Sequence, residues 1–137
     1  MGDTDWTAFL SNPRDVLDLY EEPPLLRDCD LFYLHIDERD TSITFGFETR
    51  ELPAHPRQEW KEKPFNSIEF FISFAGVSQL HIDGWANPGQ KEIDISRNVD
   101  GGFAVRVTSD GSDLDFLAES ISLTHFHPFL AATESCC

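Results

Sequence analysis

The sequence predicts a mainly β (α+β) fold: an antiparallel sheet of about eight strands, as a meander, a sandwich or a rolled sheet, with one short N-terminal helix. Three observations carry this expectation. From Phe32 onward, apolar residues alternate with polar ones at a period of two, in short runs. Three turns, taken separately, pair those runs so that apolar residues oppose apolar residues. Helix signals cluster at the start of the chain and do not recur.

The helix signals lie in SNPRDVLDLYEEPP. Asn12 suits an N-cap and Pro13 suits the first helical position. Val16, Leu17 and Tyr20 can share one apolar stripe. Pro23 and Pro24 stop the helix after about two turns.

The strands follow in order. Phe32, Leu34 and Ile36 alternate with Tyr33, His35 and Asp37. Next come Ile43, Phe45 and Phe47, then Ile68, Phe70, Ile72 and Phe74. Leu80 and Ile82, Ile93 and Ile95, and Phe103, Val105 and Val107 continue the series. Leu114 and Phe116, then Ile121 and Leu123, complete it.

Register tests the pattern, because directly opposed residues in a hairpin point to one face. Ser109-Asp110-Gly111-Ser112 offers a two-residue Asp-Gly turn. That turn pairs Val107 with Leu114 and Val105 with Phe116. The loop from Asn98 to Gly102 pairs Ile95 with Val105 and Ile93 with Val107. The loop from Glu38 to Thr41 pairs Ile36 with Ile43 and Leu34 with Phe45. Two places break the phase. A two-residue link from Phe74 to Val77 would send Gln79 and His81 into the core. An odd-length loop or a bulge at Ala75-Gly76 restores the phase and would pair Ile72 with Leu80. A second slip, between Phe116 and Ile121, calls for a bulge near Ala118 to Ser120. The connection from residue 52 to residue 65 is long, contains Trp60 and three prolines, and is a place to expect function.

A chain of 137 residues reads as one domain, residues 1–137. Hydrophobic residues make up 40% and Phe alone contributes 12, enough for a packed core. Against 25 Asp and Glu stand 10 Lys and Arg, a formal charge of −15. Such a surface excludes nucleic acid as a partner, since phosphate binding needs Lys and Arg. An anionic membrane is disfavoured for the same reason, and no apolar run is long enough to span one. Cys29, Cys136 and Cys137 form no disulfide framework, and no signal peptide precedes them. A reduced, cytoplasmic protein is expected.

Chemistry-bearing motifs are few. LHID occurs twice, at 34–37 and 80–83. In each copy Leu and Ile take one face, so His35 and Asp37, and His81 and Asp83, take the other and meet water. A metal site would need the two strands adjacent, in register, with a third ligand. His125 and His127, at i and i+2, could chelate a metal on a strand, but Glu134 is too far along to complete a cupin-like set. No Ser sits in a G-x-S-x-G elbow, no glycine-rich loop opens a helix, and Cys29 is in no catalytic setting. No enzyme signature, cofactor or metal is therefore expected. Trp60 and Trp85 stand beside turns and acidic groups, where an aromatic ring can anchor an interface or cap a core.

A further pattern emerges along the chain. Asp5-Trp6 with Phe9-Leu10, Asn12-Pro13, Leu19-Tyr20 and Pro23-Pro24-Leu25 form one block. The strands Leu31–Ile36 and Ile43–Phe47 follow, then Pro53, Pro56 and Trp60. Phe65-Asn66, the Ile68–Phe74 strand, Gly76-Val77 and Leu80-His81-Ile82-Asp83-Gly84-Trp85 close the series. In order and spacing this resembles the immunity protein 50 family, small bacterial proteins encoded beside polymorphic toxins. The resemblance runs over about residues 5 to 110. It implies a non-enzymatic inhibitor that binds a cognate toxin in the cytoplasm of the producing cell. An acidic inhibitor suits a toxin with a basic surface, and long-range attraction speeds capture. Acids flanking turns are best placed to protrude: Asp37, Glu38, Asp40, Asp83, Glu92, Asp94, Asp110, Asp113 and Asp115. Trp60 and Trp85 would be the aromatic anchors. The competing expectations are a small ligand- or carbohydrate-binding β domain stacking on Trp60 and Trp85, and a metalloenzyme using His125, His127 and either His35 or His81. Oligomeric state is left open.

Overall fold

Eight strands form two four-stranded antiparallel sheets in the computed structural model, which describes residues 2–84 and 91–130. The first sheet has the order β1-β2-β3-β8, with β1 Asp30–Asp37, β2 Ser42–Thr49, β3 Ser67–Ala75 and β8 Ser120–Phe129. The second has the order β4-β7-β6-β5, with β4 Ser78–Asp83, β5 Glu92–Arg97, β6 Phe103–Ser109 and β7 Ser112–Ala118. Among the described residues no helix is long and apolar enough to cross a membrane.

The three turns pair the strands in the register that the spacing predicts. Ile36 opposes Ile43 and Leu34 opposes Phe45. Ile93 opposes Val107 and Ile95 opposes Val105. Val107 opposes Leu114 and Val105 opposes Phe116. Each pair presents apolar groups to one side, so β5, β6 and β7 bury every second residue.

The arrangement is a meander only in part. The link between β3 and β4 is not a hairpin, and Ile72 does not face Leu80. Ile72 faces Leu123 on β8, and β4 pairs with β7. At Gly76 (φ 66°) the chain leaves one sheet and enters the other. The β7–β8 ribbon changes sheets at the same level, where the Glu119 N–H donates to the Ala75 carbonyl at 2.8 Å. This is the Ala118–Ser120 slip seen in the sequence. A strand that switches sheets at a bend makes the corner of two packed sheets. A two-residue link suits a bend as well as a hairpin, and the apolar pattern does not separate them. A left-handed residue at Gln79 (φ 54°) and a register shift between Ser78 and His81 bring the phase of β4 back into line.

The core lies between the sheets. Phe45 and Phe74 of the first sheet meet Phe116 of the second, with ring centroids 5.1–6.0 Å apart. Phe47, Phe70 and Phe126 stack in a second cluster. Burying a ring of this size is worth about 1.5–3 kcal/mol. An N-terminal 3-10 helix, Gly2–Phe9, bridges the two sheets. Trp6 stacks on Phe70 at 5.7 Å and donates its indole N–H to the Pro24 carbonyl at 2.8 Å. Phe9 packs on Phe103 of the second sheet, with the Arg97 guanidinium over both rings. The alternation of the strands gives no hint of this element.

The helix is shorter than its sequence suggests. α1 spans Arg14–Leu17 and is capped by Pro13 without a side-chain hydrogen bond. Asn12 serves the sheet instead: its amide donates to the Leu123 carbonyl and accepts from the Leu123 N–H, at 2.8 and 2.9 Å. Val16, Leu19 and Tyr20 are buried, whereas Leu17 points to water. One helical turn cannot carry three residues on one stripe.

Candidate functional site

β5, β6 and β7 alternate, and edge strand β4 is exposed along its whole length, Leu80 and Ile82 included, so the polar residues of all four strands reach the outer face of the second sheet. Register sets these residues in cross-strand rows. One row runs Asp83, Asp113, Thr108, Glu92. The next runs His81, Asp115, Arg106, Asp94. Five of the carboxylates proposed from sequence therefore meet on one face. Asp110 sits in the adjoining β6–β7 turn. The second row borders an open depression of about 320 Å³, lined among others by Gln79, Asp94, Arg106, Asp115 and Leu117.

Arg106 is the cation in these rows. Its Nε and a terminal nitrogen donate to the two Asp113 oxygens, both at 3.2 Å. That bond raises the arginine pKa, with the Asp113 and Asp115 charges adding to it. His81 Nδ1 lies 4.0 Å from Asp115 Oδ2. His81, Asp113 and Asp115 bring ligand atoms within 4.8 Å of one another, a spacing compatible with a metal. Asp113 already spends both oxygens on Arg106, so the set reads as a charge cluster and not as a prepared metal site.

The remaining candidates separate. Asp37, Glu38 and Asp40 lie at the β1–β2 turn of the other sheet. Asp37 is half-buried and accepts the N–H groups of Arg39 and Asp40, so it holds the turn. The turn meets the corner from which β4 starts, where the Val77 N–H donates to the Thr41 carbonyl. Trp60 is no exposed anchor. It is 9% exposed, with Phe65 against its edge and the Arg57 guanidinium 5.2 Å above it. Its neighbourhood includes an open groove of about 640 Å³ between the 3-10 turn Gln58–Glu62 and the end of β8. Trp85 lies outside the described residues.

The histidines do not converge. β1 and β4, which carry the two LHID copies, are edge strands of different sheets. His125 and His127 share the outer face of β8, their rings stacked at 5.6 Å. His35 is on β1, with β2 and β3 between it and β8. Cys29 is equally unsuited to chemistry: burial pushes its thiol up to about 12, and its sulfur donates to the Leu25 carbonyl.

Sequence reasoning overlooked Phe32, Tyr33 and Phe71. A bulge between Leu31 and Tyr33 turns both Phe32 and Tyr33 outward, and Phe71 follows inward-facing Phe70. The usable signal was an aromatic residue in the polar phase of the β3 alternation.

No match is found among the curated proteins or among the solved structures. A family model, Immunity protein 50, matches residues 12–129, from the Asn12 clamp to the last residue of β8. The matched stretch contains both sheets and the corner that joins them, and the chain belongs to the immunity protein 50 family.

Proposed function

We propose that this protein is a non-enzymatic inhibitor that binds a cognate bacterial toxin and occludes it, acting in the cytoplasm of the cell that makes both. The family supports an immunity role. One observation carries the finer reading: Asp83, Glu92, Asp94, Asp113 and Asp115 stand in two adjacent rows with Arg106 as the cation among them. Like charges directly opposed across strands destabilise a sheet. Asp83 opposite Asp113 is such a pair, and the five carboxylates outnumber the one arginine among them, an excess that a basic partner would neutralise. The charge of −15 adds a long-range field that attracts such a partner and repels nucleic acid.

The test is co-expression with the product of the adjacent gene, followed by measured association at rising ionic strength. A tight complex is expected, with association slowing as salt screens the rows. Salt-independent association removes the role of the acidic face. Absence of a complex overturns the inhibitor reading.

The alternative, a carbohydrate-binding domain stacking sugars on Trp60, has little support. The ring is buried and Arg57 covers it.

A further inference from the structure

The outer face of the first sheet is built differently. Register places Tyr33, Gly46, Phe71 and His125 in one row across all four strands. Phe32 joins the row through the β1 bulge. Tyr33 and Phe32 meet Phe71 edge-on at 5.6 and 6.0 Å, and Phe71 leans on His125 at 5.8 Å. Gly46 lies beneath them: a Cβ there would come within 2.8 Å of both Phe71 and Tyr33. The cluster covers the glycine, as aromatic rings do for glycines in sheets. Covering is not its whole role, since Phe32 and Tyr33 remain 44% and 43% exposed. Large rings packed on one another and half open to water are the residue type that dominates binding energy at interfaces.

The adjacent row on the same face is acidic. Asp30, Glu48 and Glu69 oppose one another in sequence across β1, β2 and β3, with His127 at the end. Partial burial, then Asp30 and Glu69, raise the Glu48 pKa, and Arg50 opposes them. The two rows lie roughly 7 Å apart along the strands. This combination selects its occupant. An arginine can lay its guanidinium on an aromatic face and still reach a carboxylate. A nucleic acid would find stacking surfaces beside repelling charge. A second copy would bring its own acidic row against this one.

We propose that this face grips the toxin, its aromatic row packing against an arginine-bearing segment whose cations pair with Asp30, Glu48 and Glu69. The inference rests on the inhibitor reading and divides the labour within it. The second sheet steers the toxin from a distance, and the first sheet sets how long it stays.

Dissociation and association rates of the adjacent gene's product, immobilised, decide the matter. Tyr33→Ala and Phe71→Ala are each expected to speed dissociation by about ten-fold or more. Glu48→Gln with Glu69→Gln is expected to do the same while raising the unfolding temperature of the free protein. A purely structural role cannot give those opposite signs, and this pair does not depend on the aromatic variants folding. Asp83→Asn with Glu92→Gln is expected to slow association at low salt and to leave dissociation close to wild type. If wild type binds and the first-sheet variants dissociate at its rate, the toxin docks elsewhere; the inference falls and the inhibitor reading stands. If wild type does not bind, both fall. A dimer of the free protein that Tyr33→Ala abolishes would assign the face to a second copy and overturn the proposal.

Discussion

Asp83 on β4 stands directly opposite Asp113 on β7, and Arg106 on β6 has already taken both oxygens of Asp113. Asp83 is left facing a carboxylate. Replacing it with Asn is expected to stabilise the free protein by about 0.2–1 kcal/mol, the scale of a cross-strand pair. The same change is expected to lower the association rate with the toxin at low salt. Chemical denaturation and stopped-flow binding on one variant check both signs.

Gly46→Ala is expected to destabilise by about 1–3 kcal/mol, the usual cost of forcing a group into filled space. The methyl would press on Phe71 and on Tyr33. Combining it with Phe71→Ala is expected to cost less than the sum of the two changes, because one obstacle has gone. A double-mutant cycle by urea denaturation measures the difference.

Trp6→Phe separates two roles of the N-terminal 3-10 helix. The ring stack on Phe70 is retained, but the buried Pro24 carbonyl loses its donor. A loss of about 1–3 kcal/mol is expected. Trp6→Ala removes the ring as well and is expected to cost about 3–5 kcal/mol. Thermal unfolding followed by near-ultraviolet circular dichroism reports both.

Glu48 gives a pH dependence of unusual sign for a carboxylate. Its folded pKa is raised above the ordinary value of 4.5, first by burial and then by Asp30 and Glu69. Between 4.5 and that raised value the folded state holds more proton than the unfolded state, so stability falls as pH rises through the window. Glu48→Gln is expected to raise the unfolding temperature at pH 7 and to lose that advantage below pH 4.5. Unfolding scans from pH 3 to 7, on a scale set by about one pKa unit per step, show whether the curves converge.

Cys29 is expected to resist alkylation in the folded protein. Burial pushes its thiol from 9.0 up to about 12, which leaves little thiolate at pH 8. In a Cys136→Ser, Cys137→Ser background, iodoacetamide labelling is expected to be slower than in urea by about a hundred-fold or more. Mass spectrometry of timed samples gives the ratio.

Most of the strands were legible because each buries one side, and a period of two records that directly; β4 keeps the apolar pattern although it is exposed along its length. Ile93, Ile95, Val105, Val107, Leu114 and Phe116 fix one another's register through two short loops. What the pattern leaves unsaid is the identity of a neighbour. Ile72 needs an apolar partner, and Leu80 and Leu123 satisfy that need equally in sequence; the structure chooses Leu123. The site divides in the same way. Asp83, Glu92, Asp94, Asp113 and Asp115 were legible as outward acids near turns, yet their common face depends on β4 reaching β7 across the corner. Trp60 was misleading because proximity to prolines and charge says nothing about depth. Phe32 was hidden by a bulge, which the alternation reads through as if it were absent, whereas Tyr33 already stood in the outward phase.

The hydrogen bond from Glu119 to Ala75 marks the level at which two ribbons cross together from one sheet to the other. Each sheet takes one strand from each of these two crossing ribbons, so the two sheets share their central connections. Unfolding is therefore expected to be a single cooperative transition, with both sheets lost together.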